Sequence, residues 1–280
     1  MKVSIVIAIY NEASTASALL ERVWAQPLPG LTRELVIIES NSTDGSRQIV
    51  AEFVKRHADS VHGQVRVIYQ DRPRGKGHAV RAGFAVASGD IFLLQDADLE
   101  YEVSDYPDLL RPIVEGHTAL VLGSRHLGPV SWKIRQFANH GLLAGFMNAG
   151  GVLFRLLFNL LFAVRLTDPT TMYKVFRASC LEGLNFRCNG FDFDFELLGK
   201  LICAGCVPLE IPVSYKSRGF DEGKKIRILR DPLTWLLAIM RCRFLDVDVA
   251  HRRARTAVTS RGSPSGVTAE AASAGQDQPA

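Results

Sequence analysis

Asp96 and Asp98 stand two residues apart, directly after the short apolar run 91–94. In an extended segment that spacing turns both carboxylates to one side. Two hard oxygen ligands suit Mg²⁺ or Mn²⁺, ions that complete their shell with substrate phosphates and water. Glu100 continues the period and is a candidate third ligand. The competing reading is an acidic turn that caps the following helix. Upstream, residues 71–77 read DRPRGKG. Gly75 and Gly77 allow close approach of backbone to a ligand, and Lys76 can meet an anion. The stretch is not a Walker A motif, and an exposed turn remains the alternative for Lys76. Glu39 closes another apolar run and can accept hydrogen bonds from a ribose or a base. These parts point to a nucleotide-linked donor.

The elements that must position them alternate. Apolar, β-branched runs at 2–9, 34–38 and 91–94 read as buried strands, and 65–69 reads as a further strand. Helices are expected from Ser14 or Thr15 to about 24, over 46–57 with Ser42 or Asp44 as cap, and over 78–87. Such alternation predicts an α/β domain with a mostly parallel, twisted, doubly wound sheet and helices on both faces. Right-handed crossovers then bring the strand ends to one edge. Tyr10–Glu12, Glu39–Ser42, the 72–76 loop and 96–100 should converge there, where open α/β sheets bind ligands.

The chain has 280 residues, enough for one large α/β domain. A net charge of +4 without an aromatic–basic stripe gives no nucleic-acid signature. The five cysteines, Cys203 and Cys206 among them, read as small core residues in a reducing compartment. The first residues run straight into a strand without a signal-peptide cleavage pattern.

The motifs AIYNE, ESNSTDGS, RPRGKGHAVRAGF, GDIFLLQDADLEY and LVLGSRH occur in that order. Together they resemble the family 2 glycosyltransferases with the Rossmann-like GT-A fold. DPTTMYKVFR, GFDFDFELLGKL and VPLEIPVSYKSRGFDEGKK resemble the dolichyl-phosphate mannosyltransferase-like, polyprenyl-phosphate sugar transferases. The likeness covers about residues 3–244. It implies a nucleotide-diphosphate sugar donor, a divalent ion on Asp96 and Asp98, and a polyprenyl phosphate acceptor. Nucleotide binding falls on Ala8, Tyr10 and Glu12, and the donor site is expected to include Glu39, Ser40, Lys76, Asp96 and Ala97 as well. The usual Asp-Asp pair after the second strand is here Glu39-Ser40, which leaves the base preference open. Arg125, Arg135 and Arg218 take the positions of phosphate-facing arginines, and Lys224 lies in the loop expected to close over the site.

Asp192 and Asp194 keep three readings: general base for a hydroxyl acceptor, wall of the acceptor site, or cap of the helix that follows. A lipid phosphate needs no base. Residues 141–166 are strongly apolar but carry Arg155 and Asn159, which suits one or two amphipathic helices at the membrane interface. A dimer interface or a core helix are the other uses of this stretch, and a homo-oligomer or a separate membrane partner are the candidate protein associations. Residues 207–215, with two prolines, read as an edge strand. A basic loop and a terminal helix over 231–244 fill 216–250, and 251–280 read as a disordered tail. The expectation is one domain over 1–250, cytoplasmic and peripheral on the inner face of the cell membrane.

Overall fold

The computed structural model describes residues 1–58, 63–127, 141–217 and 230–246. Seven strands form one sheet in the order β3-β2-β1-β4-β6-β5-β7. They are β1 (Lys2–Ile9), β2 (Thr32–Glu39), β3 (Gln64–Tyr69), β4 (Ile91–Asp96), β5 (Leu120–Ser124), β6 (Lys174–Arg177) and β7 (Pro208–Pro212). The helices are α1 (Ala16–Ala25), α2 (Ser46–His57), α3 (Lys76–Val86), α4 (Tyr106–Val114), α5 (Gly141–Phe162), α6 (Phe193–Cys203) and α7 (Asp231–Phe244).

Successive residues of β1, β2 and β4 are buried, as in strands covered on both faces. β1 pairs in parallel with β2 and β4, and β2 with β3. The registers Ile9 to Glu39, Glu39 to Tyr69 and Ala8 to Asp96 bring these strand ends to one edge. The expected convergence therefore holds. The loops behind β1 and β2 are laced together there. Asn11 N–H donates to Ser42 Oγ at 3.0 Å, Glu12 N–H to Ser46 Oγ at 2.9 Å, and Ala13 N–H to Asp44 Oδ2 at 2.9 Å. Gly45, at φ 100°, is the residue that precedes α2, while Asp44 Oδ1 accepts the Ser46 N–H at 3.0 Å.

The sheet is mixed. β6 runs antiparallel to both of its neighbours, β4 and β5. Because it is reversed, β6 presents its first residue, Lys174, at the edge where β4 and β5 finish. β7 lies at the sheet margin, consistent with a proline at each end.

The apolar stretch after residue 140 forms one helix, α5, which runs through Gly150 and Gly151. Asn159 closes it, accepting from Leu166 N–H at 3.0 Å and donating to Leu166 C=O at 2.8 Å. Phe158 and Phe162 turn into the core, while Leu153, Leu156 and Leu160 are exposed. No helix among the described residues is long and apolar enough to cross a membrane.

Candidate active site

β4 delivers Asp96 to the common edge, and the start of α3 delivers Lys76 to it. Lys76 Nζ lies 3.0 Å from Asp96 Oδ1 and 3.2 Å from Asp194 Oδ2. Met172 Sδ is 2.9 Å away. Asp194, in the first turn of α6, also meets Lys174 Nζ at 3.5 Å. The result is a closed set of two ammonium groups and two carboxylates. Burial alone would lower the Lys76 pKa, but Asp194 and Asp96 outweigh it and raise it. Burial would raise Asp194, but the two lysines outweigh it and hold its pKa low. Burial raises Asp96 against the pull of Lys76, with Asp194 adding to the rise. Lys174 is fully enclosed, and its pKa falls because burial disfavours the charged form.

The glycines around Lys76 serve packing, which corrects the expectation that they admit a ligand. A Cβ on Gly75 would come within 2.2 Å of Asn189 C=O, at a φ of +98°. One on Gly77 would come within 2.5 Å of Phe193 Cβ. The first turn of α3 is thus pressed onto the segment that leads into α6. Gly77 N–H donates to Asn189 C=O at 2.8 Å, and Arg81 to Cys188 C=O at 2.8 Å.

Asp98 is buried, with Oδ1 accepting the Glu100 N–H at 3.1 Å. Ala97 C=O accepts from Thr15 Oγ1 at 2.8 Å, which pins the Asp96–Asp98 turn to the loop after β1. Glu100 does not complete a three-carboxylate set. Its carboxylate accepts from Tyr215 Oη at 2.8 Å, and no group of three His, Cys, Asp or Glu that can hold an ion exists among the described residues. Asp96 and Asp98 nevertheless fit Mg²⁺ or Mn²⁺. They offer hard oxygens, such ions need only one or two protein carboxylates, and an ammonium already sits beside Asp96.

Among the residues expected to bind nucleotide, Ala8 lies beside Asp96 in the sheet and Tyr10 is exposed just beyond it. Ser40 Oγ donates to Gln70 at 2.9 Å. Glu39 is fully buried rather than open to a ribose. Arg47 Nε lies 2.9 Å from its carboxylate, which also accepts the Ser42 N–H at 2.6 Å.

Arg125, expected to face phosphate, is instead enclosed. Its Nε and one Nη hold Asp168 at 2.6 and 2.7 Å, and the same Nη reaches Thr170 Oγ1 at 2.7 Å. The guanidinium lies over Tyr215 at 5.1 Å. Burial would lower its pKa, but Asp168 raises it well above the ordinary range, and Arg125 in return holds Asp168 far below the carboxylate range. Asp192 Oδ1 accepts the Gly190 N–H at 2.9 Å, and its C=O accepts the Glu196 N–H as α6 begins, so the structure gives it a turn-forming part. Arg135, Arg218 and Lys224 lie outside the described residues, as do residues 251–280.

Lys174 and Asp168 lie in the motif DPTTMYKVFR, from which the sequence singled out neither as a site residue. A signal for Lys174 was present: one lysine inside the apolar run YKVF must find a partner if the run is buried.

A mixed α/β sheet whose parallel strands end at an acidic turn defines a GT-A type domain, and comparison with known proteins agrees. The chain belongs to glycosyl transferase family 2, whose model matches residues 4–179. It is 27% identical over 224 residues to the dolichol-phosphate mannosyltransferase of Pyrococcus furiosus, covering 80% of this chain and 59% of that one. It is 34% identical over 224 residues to an undecaprenyl-phosphate 4-deoxy-4-formamido-L-arabinose transferase of Aeromonas hydrophila, covering 79% and 62%. The chain therefore spans about three fifths of the length of these two relatives. Glucosyl-3-phosphoglycerate synthase of Mycobacterium tuberculosis, solved with Mn²⁺ and UDP, superposes with a TM-score of 0.62 at 18% identity, covering 86% of this chain and 80% of that one. That likeness is one of fold.

Proposed function

We propose that this protein is a divalent-ion-dependent, inverting glycosyltransferase that moves a hexosyl group from a nucleotide-diphosphate sugar to a polyprenyl phosphate. The relatives that act on dolichol phosphate and undecaprenyl phosphate support the acceptor class. The observation that carries the reading is the state of the two carboxylates at α6. Asp194 is held by Lys76 and Lys174, and Asp192 is engaged with the Gly190 N–H. Neither is arranged as a free base. A hydroxyl acceptor requires one, whereas a phosphate is already an anionic nucleophile.

In this reading the nucleotide lies across Ala8, Tyr10, Glu12 and Ser40. Asp96 and Asp98 would hold Mg²⁺ or Mn²⁺, which would supply Lewis-acid neutralisation of the departing diphosphate. An oxygen of the acceptor phosphate attacks the anomeric carbon. The bond from that carbon to the diphosphate oxygen breaks, and the nucleoside diphosphate leaves with the electron pair. No proton needs to be removed from a phosphate dianion. Arg125 fixes the wall beside Tyr101 and Tyr215 through Asp168, while Arg135, Arg218 and Lys224 are the cations assigned to the acceptor phosphate.

The acceptor's lipid suits attachment to a membrane surface. Leu153, Leu156 and Leu160 on α5 and Leu233, Leu237, Met240 and Phe244 on α7 are exposed. The two helices meet through Phe154 and Trp235, whose rings lie 5.5 Å apart. Exposed Arg230 and Arg243 accompany these stripes, as at an anionic lipid interface.

The experiment that tests the acceptor reading is Asp192→Asn, assayed with a short polyprenyl phosphate. Turnover within about tenfold of wild type is expected. A fall of about 10²–10⁴, the usual worth of a general base, would return the acceptor to a hydroxyl.

A further inference from the structure

Lys76 sits where a divalent ion's ligand would otherwise be bare. Its ammonium is 3.0 Å from Asp96 Oδ1 and 3.3 Å from Asp96 Oδ2, so it engages both carboxylate oxygens. The same nitrogen is 3.2 Å from Asp194 Oδ2. Its side chain is mostly buried, and the Phe191 ring lies 5.8 Å from the ammonium. The stem is fixed at the start of α3 by the close packing of Gly75 and Gly77 on residues 188–193. The ammonium thus has two carboxylate seats within reach of one fixed stem. Asp194 in turn has a second cation, Lys174, and stays neutralised whichever seat Lys76 takes.

We propose that Lys76 is an internal counter-cation that occupies Asp96 when the divalent ion is absent and withdraws to Asp194 when the ion binds. The inference rests on Asp96 and Asp98 being the ion's ligands. Two cations cannot share one carboxylate at this distance without mutual repulsion, so ion binding and the Lys76–Asp96 contact compete. Asp194 lowers the cost of that exchange by receiving the displaced ammonium. Lys76 is therefore a positioning residue that sets ion affinity and links it to the first turn of α6.

The test measures Mn²⁺ binding directly, by loss of the free-ion paramagnetic resonance signal, with Mn²⁺ alone and with UDP or GDP added. Lys76→Met removes the competitor and is expected to tighten Mn²⁺ binding about tenfold, the worth of one charge-assisted hydrogen bond. Asp194→Asn removes the second seat, keeps Lys76 on Asp96, and is expected to weaken binding. Opposite directions are the signature, because a residue that merely supports the fold would weaken binding in both variants. Circular dichroism checks that each variant is folded, and Lys76→Gln replaces Lys76→Met if the latter is not. Unchanged or weaker binding in the Lys76 variant, while wild type binds Mn²⁺, overturns the proposal and leaves the ion site standing. Absence of Mn²⁺ binding by wild type in all three conditions overturns both.

Discussion

Asp168 and Asp194 are both carboxylates held in ion pairs, but their surroundings separate what their loss would do. Asp168 and Arg125 are almost wholly enclosed, and two of the arginine's nitrogens are committed to the one carboxylate. Asp168→Ala leaves a buried guanidinium without its partner, a loss of about 3–5 kcal/mol, read as a shifted midpoint in urea unfolding. The pair also has a pH signature. Because Arg125 holds Asp168 below its ordinary pKa, the stability it contributes is fully present above about pH 4. It is lost as pH falls from there towards the folded pKa. The melting temperature of wild type should fall on acidification below about pH 4, and Asp168→Asn should flatten part of that slope. An unchanged slope would mean that the pair is not a titrating contributor. At this scale the sequence disclosed Asp96 and Asp98, whose spacing after a strand is a local pattern. It did not disclose Lys174 or the Arg125–Asp168 pair, whose partners lie 20 and 43 residues away.

At the scale of elements, the loop over 71–77 was legible as glycine-rich and basic, but its glycines had a different use. Their need is set by the carbonyl of Asn189 and the Cβ of Phe193, more than a hundred residues on. Gly77→Ala is expected to cost about 1–3 kcal/mol by overpacking, and Gly75→Ala at least as much because its backbone is left-handed. Both should also disturb the contact between Lys76 and Asp96. Denaturant unfolding checks the first effect, and Mn²⁺ binding the second. The buried strands were plain from their β-branched runs, and α2 and α7 fall at their expected bounds. The reversal of β6 was not, since the four residues KVFR carry no sign of direction. The exposed stripes on α5 and α7 make a separate prediction. Leu156→Asp or Leu237→Asp should each reduce sedimentation with anionic vesicles about tenfold, as expected from losing one inserted leucine. Neither should move the melting temperature appreciably, because both side chains are exposed. Vesicle binding that is indifferent to both changes would assign these stripes to a protein partner.

At the scale of the molecule, one sheet edge collects the residues that the proposed mechanism gives to the donor and those it gives to the acceptor. The parallel strands β1, β2 and β4 supply the loops proposed for a nucleotide and the Asp96–Asp98 turn. The reversed β6 and the start of α6 supply Lys174 and Asp194. Lys76 joins the two sets with one nitrogen, so the state of the proposed donor carboxylate and that of the proposed acceptor side are not independent. The central claim is transfer of a sugar to a lipid phosphate without a protein base. Nucleoside-diphosphate release tests it most directly, measured over a panel of nucleotide sugars with Mg²⁺ or Mn²⁺, with and without a short polyprenyl phosphate in detergent. Release that requires both the ion and the lipid phosphate, and that is abolished in Asp98→Ala, is the predicted result. Donor binding with no release stimulated by lipid phosphate, or release stimulated only by hydroxyl acceptors, would contradict it.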